Sequence, residues 1–441
     1  MKYLVLLFML HAFCDRANAD RNSSSQNTIE DANAISISTQ SPAQARSEDL
    51  KTPSTNLDLN PNLKSEEPSE EMGSGLLAPW SSAKKLAKKN GIGFELTYKF
   101  DTLTAIRNRT TSRSFFLGSM SLTLDFDLSE IFQLEGSSLI VHAVGNHGDK
   151  PSSFIGDSFV ASNIEAPNNF LAYEVFFRKA IGQHSSLLLG LRDLNADFYS
   201  TESSKTLINS VFGISQSIAQ SGVNGPSIFP VTAPAVSFSS QFSNSVYFQV
   251  AIFSAQAGNP DNPKGTFIAN SLREGVLTIS ELGISTEEEG RFFKSAIGVW
   301  SYSKKTEAFD PELGAAQNKG VYAILDHSFS DQLSVFLKYG TASKQVNEFS
   351  SAAELGFNCK GVIGIRPEDH LAFGFSQAEA SKDFLRLNTR SRAESVSELA
   401  YQIVVGPGIT ITPDYQYIQN PGLIKGAKPV EVVNLRIDLH F

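Results

Sequence analysis

Cysteine is nearly absent, with only Cys14 and Cys359 in 441 residues. Cys14 falls inside a segment predicted to be removed, so the mature chain can form no internal disulfide. Phe13 beside it is too bulky for a lipoprotein processing site. Beyond the start no run of about 18 apolar residues occurs, which excludes helical membrane spans. Basic charge is not in surplus: 37 Lys and Arg stand against 46 Asp and Glu, a net of -9. No basic face for nucleic acid is available. The signatures G-x-S-x-G, H-E-x-x-H and G-x-G-x-x-G are missing, so no enzyme class is indicated. His142, His147 and Asp149 in VHAVGNHGD lack a diagnostic metal spacing, and loop polarity accounts for them. No metal and no cofactor are expected.

What is present begins with Lys2, the apolar run YLVLLFML and Ala17-Asn18-Ala19, the charge, hydrophobic segment and small-residue site of a signal peptide over 1–19. Residues 20–75 are rich in Ser, Asn, Pro and Glu and carry ten acidic and four basic residues. Too few large apolar side chains occur there to bury a core, so a disordered polar linker is predicted. A short helix follows in APWSSAKKLAKKNG, capped by Ser81 or Ser82 and stopped by Gly91.

From residue 92 the pattern has period two. The last ten residues, VVNLRIDLHF, alternate without a break between apolar Val433, Leu435, Ile437, Leu439, Phe441 and polar Asn434, Arg436, Asp438, His440. About sixteen such segments follow one another, from IGFELTYKF to VEVVNLRIDLHF. Their connections alternate in length: 102–112 long, 127–135 short, 146–167 long, IGQH short, 195–233 very long, and so on to 418–429. A soluble sandwich has no reason to do this. A membrane barrel does, because its periplasmic ends turn tightly while its outer ends carry loops. Unpaired backbone groups in hydrocarbon cost several kcal/mol each, so a sheet in lipid must close. The expected fold is all-β: a transmembrane antiparallel β-barrel of about sixteen strands, residues 76–441, in contact with outer-membrane lipid. Thirty-two Phe and eleven Tyr would supply the lipid face and its aromatic girdles.

On that alternation the water-facing set includes Glu174 and Arg178 on the fourth strand, Arg192 on the fifth, Glu398 and Gln402 on the fourteenth, and Arg436 on the last. These are candidate pore-lining residues; the alternative for each is a structural charge paired across the wall. Asp193, Asn195 and Asp197 are placed to anchor the 39-residue connection 195–233, or to serve as Asx turn residues.

Several stretches resemble the carbohydrate-selective porin family OprB. ELAYQIVVGPGITITPDYQYIQNPG is similar to that family's closing pattern, through Glu398, Tyr401, Pro413, Asp414, Gln416, Tyr417, Ile418, Asn420, Pro421 and Gly422. GLRDLNADF, GDSFVASNIEAPNNFLAYEVFF and APWSSAKKLAKKNGIGFELTY resemble other segments of it. The chain departs from the family after Trp80, where Ser81-Ser82-Ala83-Lys84 replace Gly-Gly-x-Arg, and at Leu191, where a basic residue is usual. The resemblance implies a sixteen-stranded barrel whose third loop folds inward, with Asp414 and Gln416 among the lining residues. It also implies a terminal Phe441 read by the barrel-assembly machinery, a homotrimer, and passage of small hydrophilic solutes, sugars first. An amino-acid channel is the alternative within barrels, and a secreted β-rich binding protein is the alternative outside them.

Overall fold

The computed structural model describes residues 78–441 apart from 267–271 and 289. The predicted signal peptide and polar linker lie outside the described residues. Helix α1 (Ala78–Lys89) runs into Gly91, whose φ of +72° ends it in the left-handed conformation that glycine adopts freely. Because α1 already includes Ser81 and Ser82, neither serine caps it as the sequence suggested.

Sixteen strands follow: β1 Ile92–Arg107, β2 Thr111–Asp127, β3 Ser137–Gly148, β4 Asn169–Ile181, β5 Ser185–Arg192, β6 Ala233–Gln241, β7 Val246–Ser254 and β8 Val276–Glu288. Then come β9 Arg291–Glu307, β10 Ala315–Ser328, β11 Leu333–Thr341, β12 Phe349–Lys360, β13 His370–Ala380, β14 Ala393–Gly406, β15 Ile409–Gln419 and β16 Val430–His440. Each pairs antiparallel with its sequence neighbours, and β1 pairs with β16 from Thr97↔His440 to Arg107↔Val430, so the sheet has no edge. The connection expected to be long at 102–112 is only residues 108–110, because β1 and β2 extend past the apolar stretch that revealed them.

Alternation sorts the two faces as predicted. On β16 Val433 and Leu435 are exposed on the outside while Asn434 and Arg436 are buried on the inside. Phe116, Phe170, Leu189, Ile297 and Leu337 add to the exposed outer belt.

The inside is not uniformly polar. In the outer half of the barrel two loops fold inward, L2 (149–168) and L3 (193–232), and pack against apolar positions of the inner face. Ile155 and Phe159 of L2 and Leu207, Val211 and Phe212 of L3 meet Leu103, Ala400, Val430 and Val432 in one buried cluster. Leu194, Phe198, Tyr199, Ile214 and Ile218 of L3 meet Tyr247, Ile279, Trp300 and Tyr322 in another. Gly298 leaves the space that the Tyr322 ring fills; a Cβ there would lie 2.0 Å from it. Burying each Phe or Leu contributes about 1.5–3 kcal/mol, which is why long Gly- and Ser-rich loops stay seated in a lumen.

Candidate functional site

The site is the slot that L3 leaves beside the wall of β1–β4. At one height a row of polar side chains crosses the wall, because strand register sets residues opposite each other. Glu95 lies opposite Thr123, Thr123 opposite His142, and His142 opposite Glu174. The row continues to β5, where Arg192 Nη1 donates to Glu174 Oε1 at 2.7 Å.

The ladder between β3 and β4 slips at His142 and Ala143, leaving Tyr173 as an extra residue. A bulge of this kind lets two successive side chains turn the same way. Tyr173 and Glu174 are therefore both buried on the inside. Gly190 lets β5 approach that bend: its φ is +148°, and a Cβ would fall 2.1 Å from the Val175 carbonyl oxygen.

From this row L3 starts. Arg192, 1% exposed, gives its other Nη to Asp197 Oδ1 at 2.5 Å and stacks 4.2 Å from the centre of the Phe176 ring. Glu174 also accepts from the Asp193 backbone N–H at 3.0 Å. Asp193 accepts from the Tyr173 hydroxyl at 2.6 Å and, as an N-cap, from the Asn195 N–H at 2.8 Å. Burial first, and the Glu174 charge second, push the Asp193 carboxyl up to about 7. Asn195 Nδ2 donates to the carbonyls of Phe198 and Gly213, joining the beginning of L3 to its middle. Asp193, Asn195 and Asp197 all lie at the root of L3, where Asp193 forms the Asx-type cap and Asn195 ties to the middle of the loop.

Between wall and loop lies a cavity of about 260 Å³. Glu95, Thr97, Ser121, Thr123 and His142 face it from the barrel; Asp193 and Asn195 face it from L3. Ser121 Oγ is 2.6 Å from His142 Nε2, and His142 Nδ1 is 3.3 Å from Glu174 Oε2. Arg178 lies lower on the inner face of β4, half-buried, 5.9 Å from the Phe176 ring centre.

The wall on the other side of β1, β16 to β14, is covered by L2 and L3, and several residues expected to touch water hold these loops instead. Glu398, 1% exposed, accepts from the Ile208 N–H and, at 3.0 Å, from the Asn209 N–H. Gln416 receives Asn209 Nδ2 at 3.0 Å and donates to the Ala161 carbonyl and to Asp414 Oδ1. Arg436 makes a two-pronged contact with Asp101 at 2.7 and 2.8 Å and reaches Asn163 Oδ1 of L2 at 2.7 Å. Their inward direction was legible and an inward L3 was expected, but the part played by L2, and the burial of Glu398, Asp414, Gln416 and Arg436 beneath the loops, were not. Gln402, nearer the periplasmic end of β14, stays half-buried on the inner face.

Sequence reasoning passed over the cavity wall itself, Glu95, Thr97, Ser121 and Thr123, although strand alternation places all four inside. It also missed Asp101 as the partner of Arg436, and the anchoring of L3 by Asp326, Lys338 and Glu354. Asp326 accepts from Glu202 N–H and the Ser203 hydroxyl, Lys338 Nζ donates to the Phe212 carbonyl at 2.6 Å, and Glu354 accepts from the Tyr199 hydroxyl at 2.7 Å. His142 and His147 do not converge: His147 meets the Tyr98 hydroxyl at 3.0 Å, and Asp149 accepts from the Phe116 N–H.

The model of the family described as carbohydrate-selective porin, OprB family, matches residues 116–441. The Pseudomonas putida OprB structure at high pH superposes with a TM-score of 0.73 at 18% identity, over 82% of this chain and 97% of that one. Its low-pH structure gives 0.55 at 14%, over 83% and 98%. The outer-membrane channel DcaP of Acinetobacter baumannii gives 0.52 at 11%, over 79% and 97%. No curated protein gives a significant sequence match. With a closed sixteen-stranded barrel, an inward third loop and a family match across most of its length, the chain belongs to the OprB family of carbohydrate-selective porins of the outer membrane.

Proposed function

We propose that small neutral sugars cross the membrane through the slot between L3 and the β1–β4 wall, by passive diffusion. The observation that carries this is the polar row Glu95–Thr123–His142–Glu174 facing Asn195 across a cavity of about 260 Å³. Diffusive passage needs no bond to be made or broken. It needs groups that replace part of a solute's hydration and hold it weakly enough to release it. Hydroxyls of Thr97, Ser121 and Thr123 both donate and accept, and the carboxylates and Asn195 Oδ1 accept, which suits a ring carrying several hydroxyls. Glu174 is paired with Arg192 and Asp193 accepts the Tyr173 hydroxyl, so an uncharged polyol meets hydrogen-bonding groups without a large desolvation cost.

Single-channel recording in planar bilayers tests the reading. Glucose or arabinose added to the salt solution is expected to reduce the ionic current in a concentration-dependent way, while a zwitterionic amino acid of similar size leaves it unchanged. Block by the amino acid and not by the sugars would replace this reading with the amino-acid channel.

A further inference from the structure

The cavity contains a carboxylate that the described protein leaves unmatched. Glu95 stands at the end of the cross-strand row, opposite Thr123, and faces the cavity. Among the described residues its side chain makes no hydrogen bond and no ion pair. No nearby cation among those residues is paired with it. Arg192 is buried and shared between Glu174 and Asp197. Lys99, higher on the same face of β1, lies 3.7 Å from Asp438, and Arg178 sits below beside Phe176. L3 brings Asp193 and Asp197 to the slot and no Lys or Arg between 193 and 204. Glu95 is half-buried, so its field reaches the solute path only partly screened.

We propose that Glu95 is the specificity-determining charge of this constriction: it admits uncharged sugars, offering their hydroxyls a strong acceptor, and turns away sugar acids such as uronates and aldonates. The proposal rests on the channel reading above and names its substrate class. A carboxylate brought beside a carboxylate in a narrow slot is repelled, whereas a hydroxyl in the same place donates to it. Size cannot make this distinction, because glucose and glucuronate differ only at one carbon.

The test is flux of labelled glucose and labelled glucuronate through the purified full-length protein in liposomes at low salt. The wild type is expected to favour glucose by about tenfold. Glu95→Gln is expected to bring the ratio within about threefold by raising glucuronate flux, with glucose flux within about twofold of wild type. Glu95→Asp keeps the charge and should keep the preference. An unchanged ratio in a Glu95→Gln protein that still passes glucose overturns the proposal. Should that variant fail to fold, the wild type alone decides: the preference must shrink between about 0.1 and 1 M salt, where the screening length falls from about 10 to 3 Å, and a salt-independent ratio overturns it. Glucose flux no greater than in empty liposomes would overturn the channel reading itself.

Discussion

Arg436 shows how far a single residue could be read. Its inward direction follows from VVNLRIDLHF, but its partner Asp101 lies 335 positions away and meets it only because β1 closes against β16 at Asp101↔Arg436. Both are buried, and Ser162 and Asn163 of L2 complete the group. Removing one member of a buried pair leaves the other charge uncompensated, at a cost of about 3–5 kcal/mol, whereas removing both costs far less. Arg436→Met should therefore lower the urea midpoint and open L2 to protease, while Asp101→Asn with Arg436→Met recovers most of the loss, checked by a double-mutant cycle in detergent. Asp157 in L2 supplies a pH dependence. Its carboxylate oxygens are shut off from solvent, and burial, then the charge of Glu165, push it up to about 7. An acid whose folded value lies above its unfolded value of about 3.9 holds its proton better when folded, so stability is greatest below pH 4 from this group and is lost as pH rises towards 7. L2 should become more protease-sensitive as pH rises from about 4 to 7, with no further change from this group above that, and Asp157→Asn should flatten the rise.

At the scale of elements, strands were legible, and of the inward loops L3 was but L2 was not. Period two is a local signal, and every one of the sixteen alternating segments is a strand. L3 announced itself by length and by GLRDLNADF at its entry. L2, with GDSFVASNIEAP, has no period that marks an inward turn; its place is set by distant partners. Asn163 N–H donates to the Ile208 carbonyl and Ser210 N–H to the Val160 carbonyl, so each loop helps to seat the other. Phe212 is the apolar pivot, buried against Phe336 with ring centres 6.1 Å apart. Phe212→Ala should cost about 3–5 kcal/mol, paid by the loop cluster, because no ladder hydrogen bond depends on that side chain. The folded barrel should still migrate as a compact band before heating, while mean conductance and current noise increase as L3 leaves its seat. Unchanged conductance would mean that the remaining ties to Glu398, Asp326 and Lys338 suffice to hold it.

For the whole molecule, what decides the architecture is which solvent lies outside, and the alternation of connection lengths carried that information when no strand did. The same reasoning bears on closure. β1 and β16 share the register from Thr97↔His440 to Arg107↔Val430, and Phe441 N–H adds a bond to the Leu96 carbonyl at 2.9 Å. A chain ending at residue 429 would present β1 and β15 as edges, with their ladder groups facing hydrocarbon at several kcal/mol each. Reclosure is blocked by direction: both strands run antiparallel to β16 and so parallel to each other, and a fifteen-stranded barrel would need one parallel seam in an otherwise antiparallel sheet. The truncated chain is therefore expected to lose the heat-modifiable band on gel electrophoresis and to enter the aggregated fraction, while the full chain keeps it. A truncated protein that remained compact and heat-modifiable would show that a parallel seam can replace the missing strand, and that an even strand count does not by itself govern this barrel.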